Sequence, residues 1–150
     1  MVYADLTKGR FSELGRAYSL TIVTEKRIPH FHDFAYARCV IKQMQSMHDA
    51  ELLHSLAWVL MPDHLHWLVA VDSIELFEVV RVFKGKTGFV LNKRLTRQGA
   101  FWQRGFYDHA LRKKEDIRAA ARYIVANPLR AGLVDVIGDY SHWDAAWVVD

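Results

Sequence analysis

The residues in this sequence best suited to chemistry are His64-Leu65-His66, Tyr123 and Asn127. In an extended segment, alternate side chains share a face, so His64 and His66 project together while Leu65 and Trp67 point the other way. Two imidazoles side by side form half of a metal site. Taken alone, a His-x-His on a sheet is equally consistent with two partly exposed polar side chains. Orienting the rings as ligands would also require outer partners that the sequence does not identify. A third donor is available from Arg122-Tyr123-Ile124-Val125-Ala126-Asn127, where Tyr123 and Asn127 are four apart and share a helical face. If that face meets the histidine pair, Asn127 offers an amide oxygen and Tyr123 a phenol beside the ion. Two imidazoles, one amide oxygen and open positions suit Mg²⁺ or Mn²⁺ that also grips a phosphate. Both residues have ordinary alternatives. Tyr123 could be a helix aromatic packed on the core, and Asn127, just before Pro128, a polar terminus satisfying local backbone groups.

The elements that must position these groups can be read from periodicity. Tyr18 to Thr24 is β-branched and aromatic and predicts a strand. Phe34, Ala37, Val40, Ile41, Met44 and Met47 recur at steps of three and four, so His32 to Asp49 predicts an amphipathic helix. Leu52 to Leu60 and His64 to Val71, joined by Met61-Pro62-Asp63, predict a hairpin. Ile74 to Leu95 predicts a second helix, in which Gly85 and Gly88 leave room for a break. A fourth strand is expected at Phe106 to Leu111, and a third helix at Glu115 to Ala126, stopped by Pro128. The acidic tail with Tyr140, Trp143 and Trp147 is expected to fold back onto the domain. The element order is that of an α+β, ferredoxin-like split βαβ antiparallel sheet with helices on one face, plus a C-terminal catalytic helix. Residues 1–150 are read as one domain, with a core of about 18–134 and a tail of 135–150.

Apolar residues make up 51% of the chain, enough for a packed core, and Cys39 is the only cysteine, so no internal disulfide or multi-cysteine zinc knuckle can form. No segment has the apolar run of a signal peptide or a membrane span, so a soluble, cytoplasmic protein is expected. Net charge is +3 but unevenly placed: Arg81 to Arg130 holds thirteen Lys/Arg against three acids, a net +10, and the remainder carries −7. Helices need charged outer faces in any case. A positive field of this density also suits phosphate binding. The candidate contacts are Arg81, Lys84, Lys86, Lys93 and Arg94 on the second helix, then Arg104, Arg112, Lys113 and Lys114. Phe101 and Trp102 could stack bases or belong to the core.

Met61-Pro62-Asp63-His64-Leu65-His66, with Tyr123-Ile124-Val125-Ala126-Asn127-Pro128-Leu129-Arg130-Ala131-Gly132-Leu133-Val134, resembles the REP-associated tyrosine transposases. These belong to the HUH group, related to single-tyrosine insertion-sequence transposases. The resemblance runs from about Tyr18 to Val134 and includes Phe101-Trp102-Gln103-Arg104 and Asp108-His109-Ala110-Leu111-Arg112. The Asn-Pro-x-x-Ala-Gly-Leu-Val stretch is its most specific part. The resemblance implies metal ligation by His64, His66 and Asn127, with Tyr123 as nucleophile. It implies single-stranded DNA with palindromic hairpins as substrate, a 5′-phosphotyrosine intermediate, and a monomer rather than a homodimer. Tyr107, beside Asp108 and His109, is the rival nucleophile; in the family its position varies, which favours a binding or structural role.

Two other readings use the same residues. A non-catalytic ferredoxin-like nucleic-acid-binding module predicts metal-independent binding and no adduct, but the strands lack the aromatic stacking motif of such modules. A water-using metallonuclease predicts products free of protein and little dependence on Tyr123.

Overall fold

A computed structural model describes residues 17–71, 74–136 and 140–145. The described strands are β1 (Ala17–Val23), β2 (His54–Met61), β3 (His64–Ala70), β4 (Tyr107–Leu111) and β5 (Trp143–Ala145); the described helices are α1 (Phe34–Asp49), α2 (Leu76–Leu95), α3 (Lys114–Val125) and the single turn α4 (Asn127–Arg130). The strands form one antiparallel sheet in the order β4-β1-β3-β2-β5. The first four strands follow the split βαβ arrangement expected from the sequence.

Strand alternation divides the apolar residues between the two faces of the sheet. Leu20, Ile22, Leu60, Leu65, Trp67 and Val69 face α1 and α2 and form one core with Val40, Met44, Val80 and Phe83. Full burial of each such side chain contributes roughly 1.5–3 kcal/mol. On the other face, Ala57, Val59, Met61, Leu68 and Ala70 pack against Ile117, Ala121 and Ile124 of α3. The spacing of those three α3 residues, four and then three, is a helical stripe. α3 therefore lies across the sheet from α1 and α2, on the face that β3 also gives to its histidines.

Three features differ from the sequence expectations. α2 runs unbroken through Gly85 and Gly88. Its middle is anchored by buried Phe83, Thr87 and Leu91, and Gly88 sits close under Phe101 and Trp102. Thr87 Oγ1 donates to the Phe83 carbonyl and accepts from Trp102 Nε1 at 2.9 Å. These contacts outweigh the roughly 1 kcal/mol that each glycine costs relative to alanine. Pro128 does not simply end the third helix; it opens the turn α4, where its missing N–H costs nothing. The tail adds a fifth strand, β5, to the edge of β2, and Tyr140 Oη donates to the Leu60 carbonyl at 2.5 Å. Trp147 lies outside the described residues.

Candidate functional site

The strand register assembles one end of the α3-facing side. Cα partners run Tyr107–Thr21–His66–Val59 across four strands, with Val23–His64–Met61 in the next row. His64 and His66 lie side by side, their ring centroids 4.7 Å apart and their planes at 84°. Each ring is held through Nδ1. His64 Nδ1 is 2.6 Å from Asp63 Oδ1, and His66 Nδ1 is 3.0 Å from Thr21 Oγ1. With Nδ1–H donating to these oxygens, both Nε2 lone pairs remain available to a ligand. Asp63 is itself steadied by Arg27 Nε, 3.1 Å from Oδ2. Burial works to raise the Asp63 carboxyl, but His64 and Arg27 outweigh it and hold the group below its ordinary value.

His66 is pushed down to about 4, first by burial, then by the charges of His64 and Arg130. It is therefore neutral at physiological pH, the form a metal ligand must take. Among the described residues no cluster of three or more His, Cys, Asp or Glu could hold an ion. The available donor set is thus two imidazoles plus whatever amide, water or phosphate oxygen joins them. Asn127 is half-buried at the start of α4. Such a set fits a divalent ion of the Mg²⁺ or Mn²⁺ class with open positions.

Tyr123 belongs to α3, whose apolar stripe covers the histidine face. Its side chain stands on the helix flank, 63% exposed. The Arg130 guanidinium lies over its ring, 3.6 Å from the centroid. Tyr107 and His109 share the sheet face of the histidines, and Tyr107 is 69% exposed. Two strand spacings put its backbone roughly 10 Å from that of His66.

A sequence model of the family described as Transposase IS200 like matches residues 15–127. The chain belongs to that family. This IS200-like transposase is 26% identical over 153 residues to a protein named as a REP-associated tyrosine transposase in Haemophilus influenzae, covering 92% of this chain and 81% of the relative. It is 28% identical over 86 residues to the REP-associated tyrosine transposase of Escherichia coli, covering 56% of this chain and 49% of that one. It is thereby an enzyme of the HUH tyrosine-transposase type. Its fold matches a REP-associated tyrosine transposase solved bound to a REP hairpin, with a TM-score of 0.74 at 21% identity over 86% of this chain and 76% of the other. A transposase structure from Deinococcus radiodurans aligns with a TM-score of 0.54 at 20% identity, over 74% and 88% of the two chains.

The basic residues of this transposase fall in separate patches rather than on one surface. Arg81, Lys84 and Arg104 border a groove of about 1010 Å³ between α2 and residues 99–106, with the exposed rings of Phe77 and Phe89. Arg81 is paired with Glu78. Lys84 is not a free phosphate contact: its ammonium is half-buried, donates to the carbonyls of Gln103 and Gly105, and is held below its ordinary pKa by burial. Lys86, Lys93 and Arg94 are exposed elsewhere on α2. Arg112, Lys113 and Lys114 follow the far end of β4, away from the histidines. Phe101 and Trp102 are buried and belong to the core. The segment from Gln103 to Phe106 separates the large groove from a smaller hollow of about 200 Å³ beside Thr21 and Tyr107, on the histidine face.

Three residues that touch the candidate site's side chains, Asp63, Thr21 and Arg130, carry no role in the sequence reading. Asp63 was readable as the neighbour of His64. Thr21 required the strand register, and Arg130 was hidden among thirteen basic residues. No helix among the described residues is long and apolar enough to cross a membrane.

Proposed function

We propose that this chain is a metal-assisted endonuclease and strand transferase for single-stranded DNA bearing palindromic hairpins, working through a covalent link to Tyr123. The observation that carries this reading is the packing of α3, which bears Tyr123, on the same sheet face as the paired imidazoles. Because α3 covers its own chain's sheet, one copy supplies every group required, and the protein acts as a monomer. The whole chain, tail included, works as one catalytic domain acting on bacterial DNA in the cytoplasm. The hairpin carried by the structural neighbour supports the choice of substrate.

His64, His66 and the Asn127 amide oxygen would hold a divalent ion, which supplies charge neutralisation and alignment of the scissile phosphate. Asp63 and Thr21 fix the two rings so that they present Nε2. Tyr123 Oη forms a bond to phosphorus while the bond from phosphorus to the 3′ oxygen breaks. The phenol gives up its proton and the departing oxygen takes one up, leaving a 3′ hydroxyl and a 5′-phosphotyrosine. The tyrosyl ester keeps the strand activated, so a new 3′ hydroxyl can reverse the step and join another end. No nucleotide cofactor is consumed. Arg81, Lys86, Lys93, Arg94, Arg104, Arg112, Lys113 and Lys114 supply the phosphate contacts outside the site.

The test is incubation with Mn²⁺ and end-labelled single strands that carry a palindromic hairpin beside a randomised flank. A denaturing gel should show a protein–DNA adduct that chelator prevents, and peptide mapping should place it on Tyr123. One observation favours a second reading, a water-using nuclease: Tyr123 stands on the helix flank rather than on its inner stripe. That reading yields cut DNA with no protein attached, and this outcome would overturn the covalent one.

A further inference from the structure

The covalent step leaves two needs that the paired histidines do not meet: the Tyr123 side chain must be held, and negative charge on the phosphoryl oxygens must be met from the tyrosine side. α4 provides a residue for both. Its helical turn follows α3 after Ala126, whose carbonyl accepts from the Arg130 N–H at 3.2 Å. Pro128 is buried within the turn, and its carbonyl accepts from Leu133 N–H at 2.9 Å. Seven residues separate positions 123 and 130, about two helical turns, which returns the side chain of residue 130 to that of residue 123. The Arg130 guanidinium accordingly lies over the Tyr123 ring, 3.6 Å from its centroid. Arg130 is thus the basic side chain that the turn after α3 sets against the tyrosine.

We propose that Arg130 is a catalytic residue of the strand-transfer reaction, a guanidinium clamp that holds the Tyr123 ring and binds the non-bridging oxygens of the scissile phosphate. The proposal rests on the covalent reading given above. The planar guanidinium can stack on an aromatic ring through its face and still direct its edge N–H groups to two phosphate oxygens. Bonds of this kind strengthen as phosphorus gains its fifth oxygen and charge builds on the equatorial atoms. The clamp also acts in the reverse direction, since the phosphotyrosine keeps two of those oxygens. An ammonium can supply the charge but neither the stack nor the two-pronged contact.

The experiment uses the full-length protein, Mn²⁺ and the labelled hairpin strands described above. Single-turnover adduct formation is followed for wild type, R130A, R130K and Y123F, and strand binding is followed separately by anisotropy. R130A should form adduct about 100-fold more slowly, with strand affinity within about threefold of wild type if most phosphate contacts lie elsewhere. Added guanidinium at non-denaturing concentration should restore part of the R130A rate and none of the Y123F rate. R130K, which keeps the charge on a somewhat shorter side chain, should fall between R130A and wild type. Wild-type rates in R130A and R130K would overturn the clamp while leaving the covalent reading intact. So would an R130A defect that guanidinium leaves unchanged and that tracks lost strand binding. Absence of adduct from wild type would remove the covalent reading itself and the clamp with it.

Discussion

The Thr21 hydroxyl lies 3.0 Å from Nδ1 of His66, joined across the β1–β3 pairing that aligns the two residues. Asp63 does the same for His64 from the hairpin turn, at 2.6 Å. Two different elements thus fix two adjacent rings, and each leaves Nε2 available to a ligand. Thr21→Val keeps the side-chain shape and removes the hydroxyl, while Asp63→Asn keeps the shape and removes the charge. Each should weaken Mn²⁺ binding by about 10-fold or more, read as free Mn²⁺ by electron paramagnetic resonance without any DNA present. Unchanged affinity in both variants would mean that the rings need no such support.

Two tyrosines belong to elements on the histidine face of the sheet. Tyr107 is in the His66 row of the sheet, beyond Thr21, whereas Tyr123 is on the helix that covers the face. Tyr107 lines a hollow that it shares with Gln103 and Phe106. Tyr107→Phe should therefore keep adduct formation within a few-fold, and Tyr123→Phe should lower it by about 10⁴-fold or more. The measurement is single-turnover labelling of each variant. The opposite pattern would move the nucleophile to Tyr107.

How legible these features were depends on the range of the interactions that fix them. The shared face of His64 and His66 follows from the period of two in a strand, a local property, and was readable. So were the split βαβ order and the stripe of α1. The continuity of α2 was not, because the side chains that pack beside Gly88 come from Phe101 and Trp102, more than ten residues downstream. β5 has only three residues, Trp143–Ala145, too few to show alternation, and its pairing with β2 is a tertiary event. Thr21 became a partner of His66 only through register, and Lys84 left the list of free cations only because Gln103 and Gly105 present carbonyls to it.

The buried link between α2 and Trp102 gives a stability prediction. Trp102 Nε1–H donates to Thr87 Oγ1 at 2.9 Å in a buried setting, and Thr87 Oγ1 donates to the Phe83 carbonyl. Thr87→Val would leave the indole donor buried without its acceptor. The expected loss is about 1–3 kcal/mol, measured as a lower urea midpoint with unchanged slope. A neutral result would show that the indole finds another acceptor and that the helix does not depend on this bond.

The tail offers a test in the alkaline range. Tyr140 Oη donates to the Leu60 carbonyl at 2.5 Å, and burial pushes the phenol up to about 12. In the unfolded chain the same phenol loses its proton near its ordinary value of about 10. Between these two values the folded state binds more protons than the unfolded state, so stability falls as pH rises from about 10 to about 12. Below about 10 the contribution is present in full. Tyr140→Phe should cost about 1 kcal/mol at neutral pH through the lost hydrogen bond, and its stability should decline less steeply over that alkaline window. Urea denaturation of both proteins at a series of pH values reads the difference directly. Parallel curves from neutral to alkaline pH would show that Tyr140 is not buried against β2 in solution, and that the tail does not close this edge of the sheet.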